Sequence, residues 1–220
     1  MQPFLDLILE QIQWIFSGIG LAIISGTYYI FRRRINNNHA EPQLSITRSE
    51  IVIRIEDAQG AVASLHKTVD GVSLRDDLDS IVEYVIFEGA LTSTEVIGAT
   101  YHEASRKTGV GVQNRIFFER PLVKNQDFHY ELKRKLRDTF RSQEEYWEFE
   151  ISYPTQLSVF TIEFPAERPP KRFWGEVNQS ENSIRIQEQP RKKNGPDSIK
   201  ITWVIKNPIL SYKYTIYWIW

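Results

Sequence analysis

The sequence predicts a mainly β protein, an antiparallel β-sandwich of immunoglobulin-like type or a barrel, preceded by one N-terminal transmembrane α-helix. Three observations predict it. Apolar and polar residues alternate with a period of two from Leu44 onward, and Gly, Pro, Asn and Asp interrupt the alternation at hairpin spacing. Near the N-terminus, Ile12 to Phe31 is a run of twenty residues without a charge.

Residues 1–11 read as a short tail, in which Phe4, Leu5, Ile8 and Leu9 fall at helical spacing. The segment 12–34 reads as the transmembrane helix and its stop. At 1.5 Å per residue the uncharged run reaches ~30 Å, the thickness of a hydrocarbon core. Trp14 at one end and Tyr28 and Tyr29 at the other stand where amphipathic rings prefer the headgroup level, and Arg32, Arg33 and Arg34 end the run. A cleaved leader has its positive charge before the apolar stretch, whereas here three arginines follow it and only Asp6 and Glu10 precede it. The positive-inside rule therefore expects the N-terminus outside and the C-terminal domain in the cytoplasm. Gly18, Ala22 and Gly26 recur every four residues with Ser17 and Ser25 beside them, a stripe small enough for two helices to approach and for the chain to self-associate.

Residues 35–43, polar and asparagine-rich with Pro42 near the end, read as a linker. Its length keeps the following domain within ~30 Å of the bilayer. Residues 44–220 then form the soluble β-rich domain. Expected strands cover Ile51–Ile55, Ala61–Lys67, Ile81–Phe87, Thr94–Tyr101, Gly111–Glu119, Phe128–Phe140, Tyr146–Tyr153, Leu157–Phe164, Arg172–Val177, Ser183–Gln187, Ile199–Ile205 and Tyr212–Trp220. One helix is expected over Ser73–Tyr84, where Ser73 stands at a capping position and Asp76 and Asp77 favour the first turn.

Asp127–Arg141 fits two periods. Phe128, Leu132, Leu136 and Phe140 make a helical stripe, but five of the seven even positions from 128 to 140 are apolar and none of the seven odd positions from 127 to 139 is, which favours a strand. Lys133, Lys135, Arg137 and Arg141 then share a solvent face with His129, a candidate site for an anionic ligand or an acidic protein surface. The plain reading is a solvated face balanced by Glu144, Glu145, Glu148 and Glu150 on the next strand. Tyr212, Tyr214, Ile216, Trp218 and Trp220 share the other kind of face, wholly apolar or aromatic, expected to fill the core or else to touch the membrane interface.

Charge and composition exclude several classes. The 27 basic and 28 acidic residues fall to 24 and 26 once Arg32, Arg33, Arg34, Asp6 and Glu10 are set aside, which is not the balance of a nucleic-acid binder. Without cysteine there is no disulfide, thiolate metal site or cysteine nucleophile. None of the four histidines, His39, His66, His102 and His129, has HExxH spacing, no serine sits in GxSxG, and Gly109-Val110-Gly111 lacks the lysine of a phosphate loop. Asp76, Asp77, Asp79 and Glu83 lack the glycine of a calcium loop. The expectation is a non-enzyme with no cofactor and no metal, with the lipid bilayer, a second copy of the chain, and an anionic ligand or acidic protein as partners. Its role would be a membrane-anchored binding or sensor module. The alternatives are a membrane effector, of the bacterial-defence kind, whose spans cluster when ligand binds, and a membrane-tethered hydrolase.

Overall fold

A computed structural model describes residues 42–86, 89–99, 101–108, 111–179, 182–184 and 189–220. The expected transmembrane segment, with Trp14, Gly18, Ala22, Gly26, Tyr28, Tyr29, Arg32, Arg33 and Arg34, lies outside the described residues, as does most of the linker. The described chain is mainly β and divides among several sheets. In chain order the strands are β1 Leu44–Ile55, β2 Val62–Ser73, β3 Leu78–Ile86, β4 Ala90–Ile97, β5 Tyr101–Thr108, β6 Gly111–Leu122 and β7 Asp127–Arg137. They continue with β8 Glu144–Glu150, β9 Thr155–Pro165, β10 Arg172–Gln179, β11 Asn182–Ile184, β12 Arg191–Asn194, β13 Ser198–Lys206 and β14 Lys213–Ile219.

Seven strands form one sheet in the order β12-β13-β9-β1-β2-β7-β4; β11-β10-β14-β8 form a second, and β3-β6-β5 a third. The sequence predicts antiparallel pairing, but β1 runs parallel to β9, with Ile51 beside Phe160 and Ile53 beside Ile162. Alternation along a strand shows which side faces inward but says nothing of a neighbour's direction.

Both smaller sheets cover the same face of the large one. Leu65, Leu136, Phe160, Ile162 and Trp203 of the large sheet pack with Trp147, Tyr214, Ile216 and Trp218 of the four-stranded sheet. Leu44, Ile46, Val69, Phe128 and Tyr130 of the large sheet pack with Leu78, Ile81, Ile116 and Leu122 of the three-stranded sheet. The large sheet thus backs two hydrophobic clusters side by side. The C-terminal aromatics take the core role, since Tyr214, Ile216, Trp218 and Trp220 are all buried.

The expected helix at Ser73–Tyr84 is absent. β2 runs through Ser73, whose N–H donates to the Gln126 carbonyl at 2.9 Å and whose hydroxyl donates to the Arg75 carbonyl at 2.7 Å. Asp77 then takes a left-handed conformation at φ 58° and β3 begins. Ser73 and Asp76 serve turn contacts in place of a helix cap, and the register of β3 shifts between Leu78 and Ser80. The bulge turns Leu78 and Ile81 to the same side, both buried, so a strand imitates the i, i+3 spacing of a helix.

The expected strand Thr94–Tyr101 is two strands, divided at Gly98, whose φ of 80° suits glycine and whose added Cβ would fall 2.7 Å from the His129 carbonyl oxygen. β12 was not expected, because Arg191–Asn194 is exposed throughout and has no alternation to read. Asp127–Arg141 is a strand through Arg137 and ends at Asp138, another left-handed residue at φ 56°.

On the outer face of the large sheet, Glu163 accepts from Arg54 Nε at 2.8 Å and Lys200 Nζ at 2.5 Å. Burial pushes its carboxyl pKa up, but the hydrogen bonds and charges of Lys200 and Arg54 outweigh that and hold it below 4.5. A folded-state pKa depressed below the unfolded one gives stability that is present above about pH 4.5 and lost as pH falls through the folded value. Glu163→Gln is therefore expected to flatten the fall in stability as pH drops below about 4.5, read by urea unfolding at each pH. An unchanged slope would place the acid sensitivity in other carboxylates.

Candidate functional site

The inward faces of the large sheet are apolar except along one diagonal. On β7, Phe128, Tyr130, Leu132 and Leu136 point inward, and so does Arg134, which is 1% exposed. Register sets Leu65 beside Arg134, Lys67 beside Leu132, and Ser49 beside both Val69 and Ser158. Arg134, Lys67, Ser49 and Ser158 consequently form a polar stripe that crosses four strands between the two hydrophobic clusters. β3 adds Glu83, also buried.

Lys67 Nζ donates to Glu83 Oε1 at 2.7 Å and to Oε2 at 2.6 Å, and the Tyr130 hydroxyl donates to Glu83 Oε1. Burial, and then the Glu83 charge, push the Tyr130 phenol far above its ordinary value, so it stays a neutral donor. Arg134 differs from its neighbours. Its Nε, Nη1 and Nη2 are all buried and meet no acceptor, and among the described residues it is the one charged side chain with buried unpartnered atoms. Burial pulls its pKa down to about 10, with Glu83 and Tyr130 acting in the other direction, so the guanidinium is charged at neutral pH.

Arg134, Lys67 and Glu83 border a cavity of about 80 Å³ in the seam where the segment after β8 meets β3, walled also by Trp147, Phe149 and Tyr153. The Tyr153 hydroxyl closes one side, accepting from the Val82 N–H at 3.2 Å and donating to the Val82 carbonyl at 3.3 Å. Chemically the cavity is bordered by an unpartnered guanidinium, one ammonium engaged with one carboxylate, and aromatic walls.

The basic residues predicted as a site lie elsewhere, away from this cavity. Lys133 and Lys135 are on the outer face of β7, with Lys133 Nζ 3.7 Å from Glu131 and Lys135 Nζ 2.6 Å from Glu56. Arg137 is exposed at the end of β7, and Arg141 follows in the loop, 3.0 Å from Asp138. The expected balance by Glu144, Glu145, Glu148 and Glu150 does not occur across neighbouring strands, because β8 belongs to the four-stranded sheet and pairs with β14. Glu131, Glu56 and Asp138 are the partners instead. His66 and His129 are taken up by Glu131 at 2.8 Å and Asp70 at 2.7 Å. No group of three metal-ligating side chains occurs among the described residues. Of the acidic cluster, Asp76 accepts from the Lys124 N–H at 2.9 Å while Glu83 faces inward, so the two serve different sites.

No protein-family model matches the sequence, and no curated protein matches it. Solved structures show a distant likeness, and one reaches the level of a shared fold. A proposed protease from Parabacteroides distasonis aligns with a TM-score of 0.53 at 6% identity, over 81% of this chain and 40% of that one. An M1 zinc metallopeptidase from Deinococcus radiodurans aligns at 0.49 and 9% identity, over 80% of this chain and 42% of that one. A proposed nutrient-binding protein from Legionella pneumophila aligns at 0.46 and 8% identity, over 80% and 67%. The chain spans less than half the length of the first two of these structures, and at 6% identity the likeness to the Parabacteroides protein is one of fold.

Proposed function

We propose that this chain is a single-pass membrane-anchored binding module, whose residues 44–220 form a cytoplasmic β-sandwich that takes a ligand close to the bilayer. The observation that carries the binding half is the polar stripe at the cavity: Arg134, Lys67 and Glu83 occupy inward positions that a core built for stability alone would fill with apolar side chains. The uncharged run Ile12–Phe31 followed by Arg32, Arg33 and Arg34 supports the tether and its direction. Of the finer architectures, facing sheets support a sandwich, while the parallel β1–β9 pair and the third sheet argue against an immunoglobulin-like order.

Carbonate extraction with protease protection tests the tether. The full chain is expected in the alkali-resistant membrane fraction, with its C-terminal domain cleaved only from the cytoplasmic side; recovery in the aqueous fraction overturns the anchor. The small-residue stripe Gly18, Ala22 and Gly26 favours a second reading, in which ligand binding clusters the spans and perturbs the bilayer. Dye leakage from cells that disappears in a Gly18→Leu, Gly26→Leu double variant selects the effector. A silent chain selects the module.

A further inference from the structure

We propose that the cavity at the seam of the sheets is a binding site for a small monocarboxylate, held by Arg134. The inference rests on the reading of the domain as a ligand-binding module and names the ligand's class.

The argument begins with the charge balance. Glu83 is committed to Lys67 through both oxygens and to the Tyr130 hydroxyl, so its acceptor capacity is directed away from Arg134. Of the other acids at the rim, Glu148 is 2.7 Å from Lys213 and Glu150 is exposed. Arg134 and Lys67 against Glu83 leave one buried positive charge. A guanidinium does not shed its proton in a protein, and an unpaired buried charge is costly. One singly charged anion restores neutrality, whereas a doubly charged phosphate reverses the imbalance.

Geometry and wall chemistry agree with the charge. A guanidinium presents parallel N–H groups that match the two oxygens of a planar carboxylate. Trp147, Phe149, Ile46 and Val82 around the cavity accept an aliphatic body. A single water takes about 10–15 Å³ on the same measure, so 80 Å³ holds about five to eight heavy atoms, room for a short-chain carboxylate up to butyrate and slightly beyond. Ser49 and Ser158, further along the stripe, supply hydroxyls for one additional polar group.

The experiment is thermal unfolding of the full chain in detergent with acetate, propionate or butyrate, against inorganic phosphate and the neutral amide butyramide. At a hundred-fold excess over Kd a carboxylate should raise Tm by roughly 5–10 °C, with no response to butyramide or phosphate. Arg134→Met removes the charge at similar volume. It is expected to melt higher than the unliganded parent, because an apolar side chain replaces an unpaired cation, and to lose the carboxylate response entirely. A merely structural arginine would give the opposite sign.

Line broadening of ¹³C-carboxylate butyrate by the unaltered chain gives a second reading that no variant's folding can obscure, and its absence overturns the site. A response that survives in Arg134→Met also overturns it, as does a response to phosphate without one to carboxylate. Failure here is separable from failure of the tether. A chain that resists carbonate extraction but ignores carboxylates loses this site and keeps its anchor, and a carboxylate-responsive chain found in the aqueous fraction does the reverse.

Discussion

Trp203→Ala is expected to lower unfolding free energy by about 3–5 kcal/mol, and Tm by roughly 6–20 °C. Trp203 is fully buried in the inward phase of β13, where it meets Tyr214 edge to face with centroids 5.8 Å apart. Opposite it lies backbone. A Cβ added at Gly175 of β10 would fall 2.8 Å from the far edge of the indole, so the ring already touches the strand that covers it. Gly175 is held in that strand by β14, with Ile216 as its partner, and cannot move in to fill the space an alanine leaves. A site that cannot collapse keeps its cavity, and the cost sits at the upper end of the range for large-to-small changes. Urea unfolding should show a lower midpoint at unchanged m-value. A loss below about 1 kcal/mol would mean that the four-stranded sheet relaxes onto the large one after all.

That the C-terminal strands face inward is legible in the sequence, because alternation alone separates Tyr214, Ile216 and Trp218 from Lys213 and Tyr217. The cavity's residues are legible one at a time. Arg134 interrupts the apolar phase of β7, Lys67 follows Ala63 and Leu65 in the apolar phase of β2, and Glu83 follows Ile81 in β3. A charge in the buried phase of an alternating strand is a more unusual signal than a cluster in the solvent phase such as Lys133 and Lys135, which lie beside Glu131 and Glu56. What the sequence does not contain is the meeting of the three. Glu83 reaches Lys67 and Tyr130 from a separate sheet, beyond a bulge in β3, and no local pattern specifies that approach. The parallel β1–β9 contact, a hundred residues apart in the chain, is invisible for the same reason.

Glu83→Gln is expected to cost about 3 kcal/mol or more, because it breaks the ion pair with Lys67 and removes the one nearby negative charge whose field favours the charged Arg134. Lys67, whose side chain is 18% exposed, recovers part of its hydration, which places the loss nearer the lower end of the range for breaking a buried pair. Arg134 has no such outlet at 1% exposure. The Tyr130 hydroxyl keeps an amide oxygen to donate to, so the loss measures charge more than hydrogen bonding. Adding Lys67→Met to Glu83→Gln should then restore stability relative to the single change, since removing both members of a buried pair is far less costly than removing one. Urea unfolding of the two singles and the double gives the coupling, expected to exceed about 1.5 kcal/mol. Additivity would instead show that Lys67 and Glu83 are each satisfied independently. The stripe would then be two unrelated polar positions rather than one charge-balanced site.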